Sequence, residues 1–273
     1  MMDSILVATD GSEAALAAEK AGVILASRTG ARLAGLSVVE ERISEGMRRN
    51  HLGVPLPPLE AVESFLKQRA DAACRRLVAA AREAGAEAVC ETARGAPDDL
   101  IAERGQVADL LVLGRDGEHR DFRTALIGST VDAVLRKTGR SALVVPSGAQ
   151  ISGPLVLAFD GSPGSKLATQ LAVELGGRLS QPICIFVDSK DKGRAVARFG
   201  EARRLLGAQA AQAREISSTL GRPDVKIVDA AREVRAGLII MGAFGRSRIN
   251  EYFLGSNSAA VIRTSATAVL LAR

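Results

Sequence analysis

This chain is written twice. "SILVATDGSEAALAAEKAGVILA" near the start returns about 150 residues later as "GPLVLAFDGSPGSKLATQLAVEL". Each copy is a short apolar run, then Asp-Gly-Ser, then an Ala- and Leu-rich stretch. Leu167, Leu171, Leu175 and Leu179 recur every fourth residue, a spacing that predicts one helical stripe. A duplicated unit of this size must fold as two similar bodies, so whatever the first copy builds, the second must also build.

The parallel runs on to the end. "ARLAGLSVVE" matches "QPICIFVDS" as a second strand, and "VADLLVLG" matches "RAGLIIMG" as a fourth. Between them, "AVCETARGAPDDLI" and "EISSTLGRPDVKIV" each give a third strand and then Gly-x-Pro-Asp, where proline and aspartate open a helix. "GSTVDAVLRKTGRSALVVP" and "GSNSAAVIRTSATAVLLAR" close each copy with a helix and a fifth strand. Strands alternating with helices of this length predict a parallel sheet with right-handed crossovers. The fold class expected is α/β: two doubly wound, five-stranded parallel-sheet domains, Rossmann-like, in tandem, at residues 1–148 and 152–273. "PSGAQISGP" (146–154) reads as the linker. "ERISEGMRRNHLGVPLPPLE" (41–60) has no counterpart in the second copy; its Pro and Gly content predicts a loop, a flap over the first site.

Composition narrows the class. Apolar residues make up 47% of the chain but aromatics only 3%, so Ala, Val, Leu and Ile must do the packing, which suits helices laid on a parallel sheet. With almost nothing to stack on bases, and with charges of both signs mixed along the helices, no nucleic-acid partner is expected despite a net charge of +5. No apolar run approaches the roughly 20 residues of a membrane span, and "MMDSILVATDGS" lacks the basic segment of a signal peptide, so no membrane partner is expected. Cys74, Cys90 and Cys184 have no paired spacing and read as buried thiols in a reducing cytoplasm, not as disulfides or metal ligands. His51 and His119 stand alone in polar loops, and no cluster has metal-ligand spacing.

The chemistry concentrates in "IIMGAFGRSRINEYFLGSNSAAVIR" (239–263). In a parallel sheet, ligands bind beyond the carboxyl ends of the strands. Asp10 and Asp160 end the first strand of each copy, and the glycine segments end the fourth, so both fall on one edge. Gly242 and Gly245 would open a loop. Gly255 and Ser256 begin the last helix, where free amides and the helix dipole favour an anion; Arg246 and Arg248 add charge.

The pattern G-x₂-G-x₉-G-[ST] after a strand, here "GAFGRSRINEYFLGS" (242–256), together with the strand-one aspartate and the five-strand order, resembles the universal stress protein family in its tandem form. The likeness covers nearly the whole chain. It implies an adenine nucleotide at the sheet edge: ATP, with AMP and ADP as alternatives, and Mg²⁺ carried in by the nucleotide. By position it implies that Asp160 meets the adenosine and Val187 packs beside the base. Met241, Gly242, Gly245, Gly255, Ser256 and Asn257 would line the ribose and phosphates. The first-copy set is Asp10, Val38, Leu113, Gly114, Gly117, Gly128, Ser129 and Thr130. That copy departs from the pattern, with ten residues between Gly117 and Gly128 and with Asp116 inside the loop, where Arg115, Arg120 and Arg123 would have to compensate. The second copy is expected to hold the better-formed site. The resemblance further implies pairing through the fifth strands, here between the two halves as an intramolecular pseudo-dimer, with a homodimer of chains as a further option.

Gly-Ser before a helix is also an ordinary cap, and Asp-Gly-Ser an ordinary turn. "GSPGSKLA" (161–168) is not a Walker loop, whose order is G-x₄-G-K-[ST]. The function expected is an adenine-nucleotide-binding stress-response regulator in the cytoplasm, without catalytic residues: a cradle is present, but no base and no metal cluster for phosphoryl transfer. Slow ATP hydrolysis could accompany binding. The alternative is a non-nucleotide-binding member acting as a protein-interaction scaffold. A third reading, an adenylating enzyme on a related fold, would need a Ser-Gly-Gly-rich loop or His-x-Gly-His, and neither is present.

Overall fold

A computed structural model describes residues 2–41, 57–116, 128–219, 221–243 and 254–273. The first copy supplies β1 (Ser4–Ala8), β2 (Arg32–Glu40), β3 (Ala88–Gly95), β4 (Leu110–Gly114) and β5 (Ser141–Val145). The second supplies β6 (Leu155–Ala158), β7 (Ile183–Asp188), β8 (Arg214–Ser218), β9 (Leu238–Gly242) and β10 (Ala268–Ala272). Each set is parallel and ordered 3-2-1-4-5 in its own copy. The two sets do not stop at a boundary. β5 and β10 pair antiparallel, Val144 opposite Val269 and Leu143 opposite Leu270, so one ten-stranded sheet runs through the molecule.

Period-two alternation sorts the strand residues onto two faces. Ile5, Val7, Val112, Leu143 and Leu270 face α1 (Leu16–Thr29), α2 (Leu59–Glu83), α5 (Pro163–Leu179) and α6 (Lys192–Leu206). Leu6, Leu111, Val144, Phe186 and Met241 face α3 (Pro97–Gly105), α4 (Ser129–Lys137), α7 (Pro223–Glu233) and α8 (Ser256–Thr264). Pro97 and Pro223 stand in the first turns of α3 and α7, where a missing amide costs nothing. The buried side of α5 is Ser165, Ala168, Thr169, Ala172, Leu175 and Gly176, not the leucine stripe. Steps of four residues drift about 40° each around a helix of 3.6 residues per turn, which leaves Leu175 fully buried and Leu167 41% exposed.

The halves are also joined by arginines that each cap a helix of the other half. Arg115, just past β4, donates from Nη1 to the Ser265 carbonyl at 2.5 Å and lies within reach of the Ile262 and Arg263 carbonyls at the end of α8. Arg273 donates to the Leu135 and Thr138 carbonyls at the end of α4. Burial pushes its guanidinium down to about 10, still charged at neutral pH. Positive heads on the last carbonyls of a helix satisfy orphan acceptors and match the dipole.

The cysteine expectation is corrected. Cys74 on α2 and Cys90 on β3 are bonded, their Cα atoms 5.3 Å apart. A helix lying across its neighbouring strand brings together residues whose sequence spacing carries no disulfide signature. Gly35 on β2, paired in register with Cys90, makes the room: a Cβ there would sit 2.6 Å from the Cys90 sulfur and 2.5 Å from Leu77. The argument for a reducing compartment from unpaired thiols therefore falls. Cys184 is the free, buried cysteine, and burial pushes its thiol up. Alkylation of the unreduced protein in denaturant should label Cys184 alone; labelling of Cys74 and Cys90 as well would overturn the pairing.

Of the 41–60 segment, residues 42–56 lie outside the described residues, and Leu59 and Glu60 already belong to α2. Among the described residues, no helix is long and apolar enough to cross a membrane.

Candidate functional site

The carboxyl ends of β6, β7 and β9 surround a cavity of about 820 Å³. Six of the eight second-copy residues singled out from the sequence line it: Asp160, Met241, Gly242, Gly255, Ser256 and Asn257. Gly245 lies outside the described residues, as do Arg246 and Arg248. Val187 is corrected. It is fully buried against the opposite face of the sheet, and the cavity is lined by its neighbours Phe186 and Asp188. The one-residue offset comes from the strand period: Ala158 pairs with Phe186 as Ala8 pairs with Leu36, so Asp188, not Val187, occupies the position of Val38.

The cavity's apolar lining includes Phe186, Ile227 and Met241, on the face shared with α7 and α8. The other feature is a helix end with bare amides. The cap position of α8 is Gly255, and no side chain caps the helix. Elsewhere in this half, α5 is capped by Ser162 and α6 by Asp191, while α7 likewise has no side-chain cap. Ser258 Oγ points back into the fold and donates to the Gly242 carbonyl at 3.0 Å. The loop before α8 is pinned at both ends, Ala243 N–H to the Ala272 carbonyl and Gly255 N–H to the Ala243 carbonyl, each 3.0 Å. A helix start held this way presents its remaining first-turn donors to the cavity, the arrangement that suits an anion.

The glycines divide by role. Gly242 and Gly255 both have ordinary negative φ, so neither is there for a left-handed turn. At Gly242 a Cβ would meet the Gly164 carbonyl carbon at 2.8 Å and the Ser165 amide nitrogen at 3.1 Å. Its missing side chain lets β9 pass under the start of α5, a packing reason that the sequence reading assigned to a ligand.

Asp160 Oδ1 accepts from the Ser162 amide at 3.0 Å, closing an Asx turn that aims the strand end at α5. Asp10 does the same with the Ser12 amide at 2.9 Å.

In the first half the same frame recurs. Arg115 N–H reaches the Val145 carbonyl and Gly128 N–H the Arg115 carbonyl, and α4 likewise starts at an uncapped Gly128. Asp10, Val38, Leu113, Gly114, Gly128, Ser129 and Thr130 belong to the corresponding strand ends and helix start; Gly117, Arg120 and Arg123 lie outside the described residues. Arg115 does offset Asp116, pairing with it at 3.0 Å, and it also caps α8 across the seam, a role the sequence did not show. Burial pushes the Asp116 carboxyl up, but hydrogen bonds from Arg115 and the Ser147 amide outweigh it and hold the group below its usual range. Arg69 on α2 donates to the Asp10 carbonyl at 2.9 Å and lies against Gly11.

Sequence reasoning missed the far wall. Lys190, Asp191, Arg194 and Arg198 line the cavity from the loop after β7 and from α6. No motif marks them. The signal was the shortness of this segment in the second copy, which starts its helix four residues past the strand and so brings its first two turns to the site.

Comparison with known proteins agrees with the duplicated architecture. The model described as "Universal stress protein family" matches residues 1–146 and again 153–273. Universal stress protein Slr1230 of Synechocystis is 26% identical over 291 aligned positions that cover all of both chains. Universal stress protein Rv2005c of Mycobacterium tuberculosis is 27% identical over 198 positions, 65% of this chain and 66% of that one. Among solved structures, a universal stress protein from Archaeoglobus fulgidus superposes with a TM-score of 0.76 at 19% identity, covering 99% of this chain and 98% of the other.

Proposed function

This chain belongs to the universal stress protein family, and from that premise we propose that it is a stress-response regulator that binds an adenine nucleotide in the cavity of its second half. ATP with its own Mg²⁺ is the ligand of first choice, with AMP and ADP as shorter forms. The observation that carries this reading is one cavity lined both by the apolar side chains of Phe186, Ile227 and Met241 and by the uncapped start of α8. A base fits the first and a phosphate the second. Ser256 and Asn257 line the cavity at the phosphate end, and Asp160 stands between. The cavity volume is in the range of small-molecule sites.

The protein is read as a binder without a dedicated chemical step. Phosphoryl transfer needs a base or water-orienting group free to act. The lining carboxylates are engaged by backbone donors: Asp160 by the Ser162 amide, Asp191 by the Arg194 amide at 2.7 Å and Asp188 by the Gly221 amide at 3.4 Å. Turnover of ATP at or above about 1 s⁻¹, an ordinary enzymatic rate, would contradict this. The first half is the weaker site, because Arg115 at the end of β4 is committed to Asp116 and α8 and Arg69 to the Asp10 carbonyl.

The test is a melting curve of the full chain with AMP, ADP and ATP-Mg²⁺. Ligand at 100 times its Kd should stabilise by about 2.7 kcal/mol through mass action, at one nucleotide per chain by calorimetry. Gly255→Val should abolish the shift without unfolding the protein, since φ −58° and ψ 142° at Gly255 are open to any residue. Absence of a shift with all three nucleotides would leave the scaffold reading standing instead.

A further inference from the structure

Arg198 is the unexplained group in this molecule. It is only 9% exposed, lines the cavity, and donates from Nη1 to the Asp188 carbonyl at 3.0 Å. No carboxylate among the described residues comes within ion-pair distance of it. Nη1 is used by that carbonyl, and the other guanidinium nitrogens are not among the fully buried unpartnered atoms, so they open onto the cavity. A mostly enclosed cation with no protein counter-charge is a place where an anion is favoured. Lys190 and Arg194 stand near it at the mouth of the same wall, and neither is ion-paired among the described residues. Lys190 lies over Gly221, where a Cβ would meet its Cε at 3.1 Å. The acids on this wall do not supply the missing charge, for Asp191 accepts from the Arg194 amide of its own helix start and Asp188 from the Gly221 amide in the loop before α7.

The wall faces the phosphate cradle across the sheet. The strand order β9-β6-β7 puts the start of α8 beyond β9 and Arg198 beyond β7, with β6 and Asp160 between them. Two strand spacings separate these ends by roughly 10 Å of backbone, and side chains reaching inward shorten the gap. We propose that the second-half cavity holds two anion sites, the α8 start and the Arg198 wall, and so selects a nucleotide carrying phosphoryl groups at two separate positions over a mononucleotide phosphorylated only at the 5′ end. A nucleoside 3′,5′-bisphosphate and a dinucleotide share this chemistry. The inference rests on the proposed nucleotide site but puts this class ahead of ATP, which is phosphorylated at the 5′ end alone.

The test is calorimetric titration of the full chain with AMP, adenosine 3′,5′-bisphosphate and cyclic di-adenosine monophosphate. A charge-assisted contact to a buried guanidinium is expected to favour at least one two-phosphoryl ligand over AMP by about tenfold or more. Whichever of the two shows the preference identifies the source. Arg198→Gln should reduce the preference to near unity by weakening the two-phosphoryl ligand more than AMP, and Arg198→Lys should keep part of it. Because Arg198 is buried, the exposed pair Lys190→Ala and Arg194→Ala serves as an independent variant, expected to lose about threefold of the preference while melting as the parent does. AMP binding with no preference for either two-phosphoryl ligand overturns the second anion site and leaves the nucleotide site standing. A preference indifferent to all of these substitutions also overturns it. Failure of every nucleotide to bind overturns both.

Discussion

Gly242→Ala is expected to destabilise the protein by about 3 kcal/mol, near the upper end of what overpacking costs, while Gly114→Ala should cost less than about 1 kcal/mol. These are the equivalent residues of the two copies, each the last of the fourth strand. Added methyl groups would meet different neighbours. At Gly114 the nearest atoms are the Ala14 carbonyl oxygen and Ala15 Cα, both 3.6 Å away, an ordinary contact. At Gly242 they are main-chain atoms of Gly164 and Ser165 at 2.8 to 3.1 Å, and main chain at a helix start cannot swing aside as a side-chain tip can. Ser165 is also fixed by the Ser162 cap at 3.2 Å, so relief would mean unseating the first turn of α5. For a chain of this size the difference of about 2 kcal/mol corresponds to roughly 4 °C in Tm. The nucleotide response should fall with it, because α5 carries the Asp160 turn beside the cavity. Equal effects at the two glycines would show that β9 and β4 meet their helices alike, and the packing role given to Gly242 would fail.

This pair shows what was legible in the sequence. Duplication, strand order and the edge on which the motifs gather could all be read, because each follows from period, turn chemistry and the handedness of crossovers. The proline-opened helices α3 and α7 are local signals and were placed where they stand. What could not be read depends on contacts between distant segments. The register that puts Asp188 rather than Val187 at the cavity is set by pairing with β6. The Cys74–Cys90 bond depends on how α2 crosses β3, and its space on Gly35 of a third element. Arg115 was legible as the counter-charge of Asp116; that it also caps a helix of the other half follows only once β5 and β10 are joined. Gly242 carried the right residue for a reason that belongs to α5.

That seam also decides whether the halves can fail separately. Leu143→Asp on β5 is expected to destabilise the chain by at least about 4 kcal/mol and to loosen the second half together with the first. Leu143 is fully buried, with Val112 and Leu270 as its register partners on either side. A carboxylate there has no cation in its core cluster and must either ionise in an apolar interior or hold its proton at a cost. The cluster it would disrupt includes Leu155, Leu238 and Ile240 of the second half, on strands that carry the cavity. Hydrogen exchange should therefore accelerate in β9 and β6 as much as in β4, and nucleotide affinity in the second half should drop although the substitution lies in the first. Val89→Asp on the edge strand β3 is the matched control: Val89 is 72% exposed, and the same chemical change should stay within about 0.5 kcal/mol. If Leu143→Asp melts β1 to β5 while β6 to β10 keep their protection and their ligand, the antiparallel pairing of fifth strands is a contact between independent domains, and the single-sheet account of the fold fails.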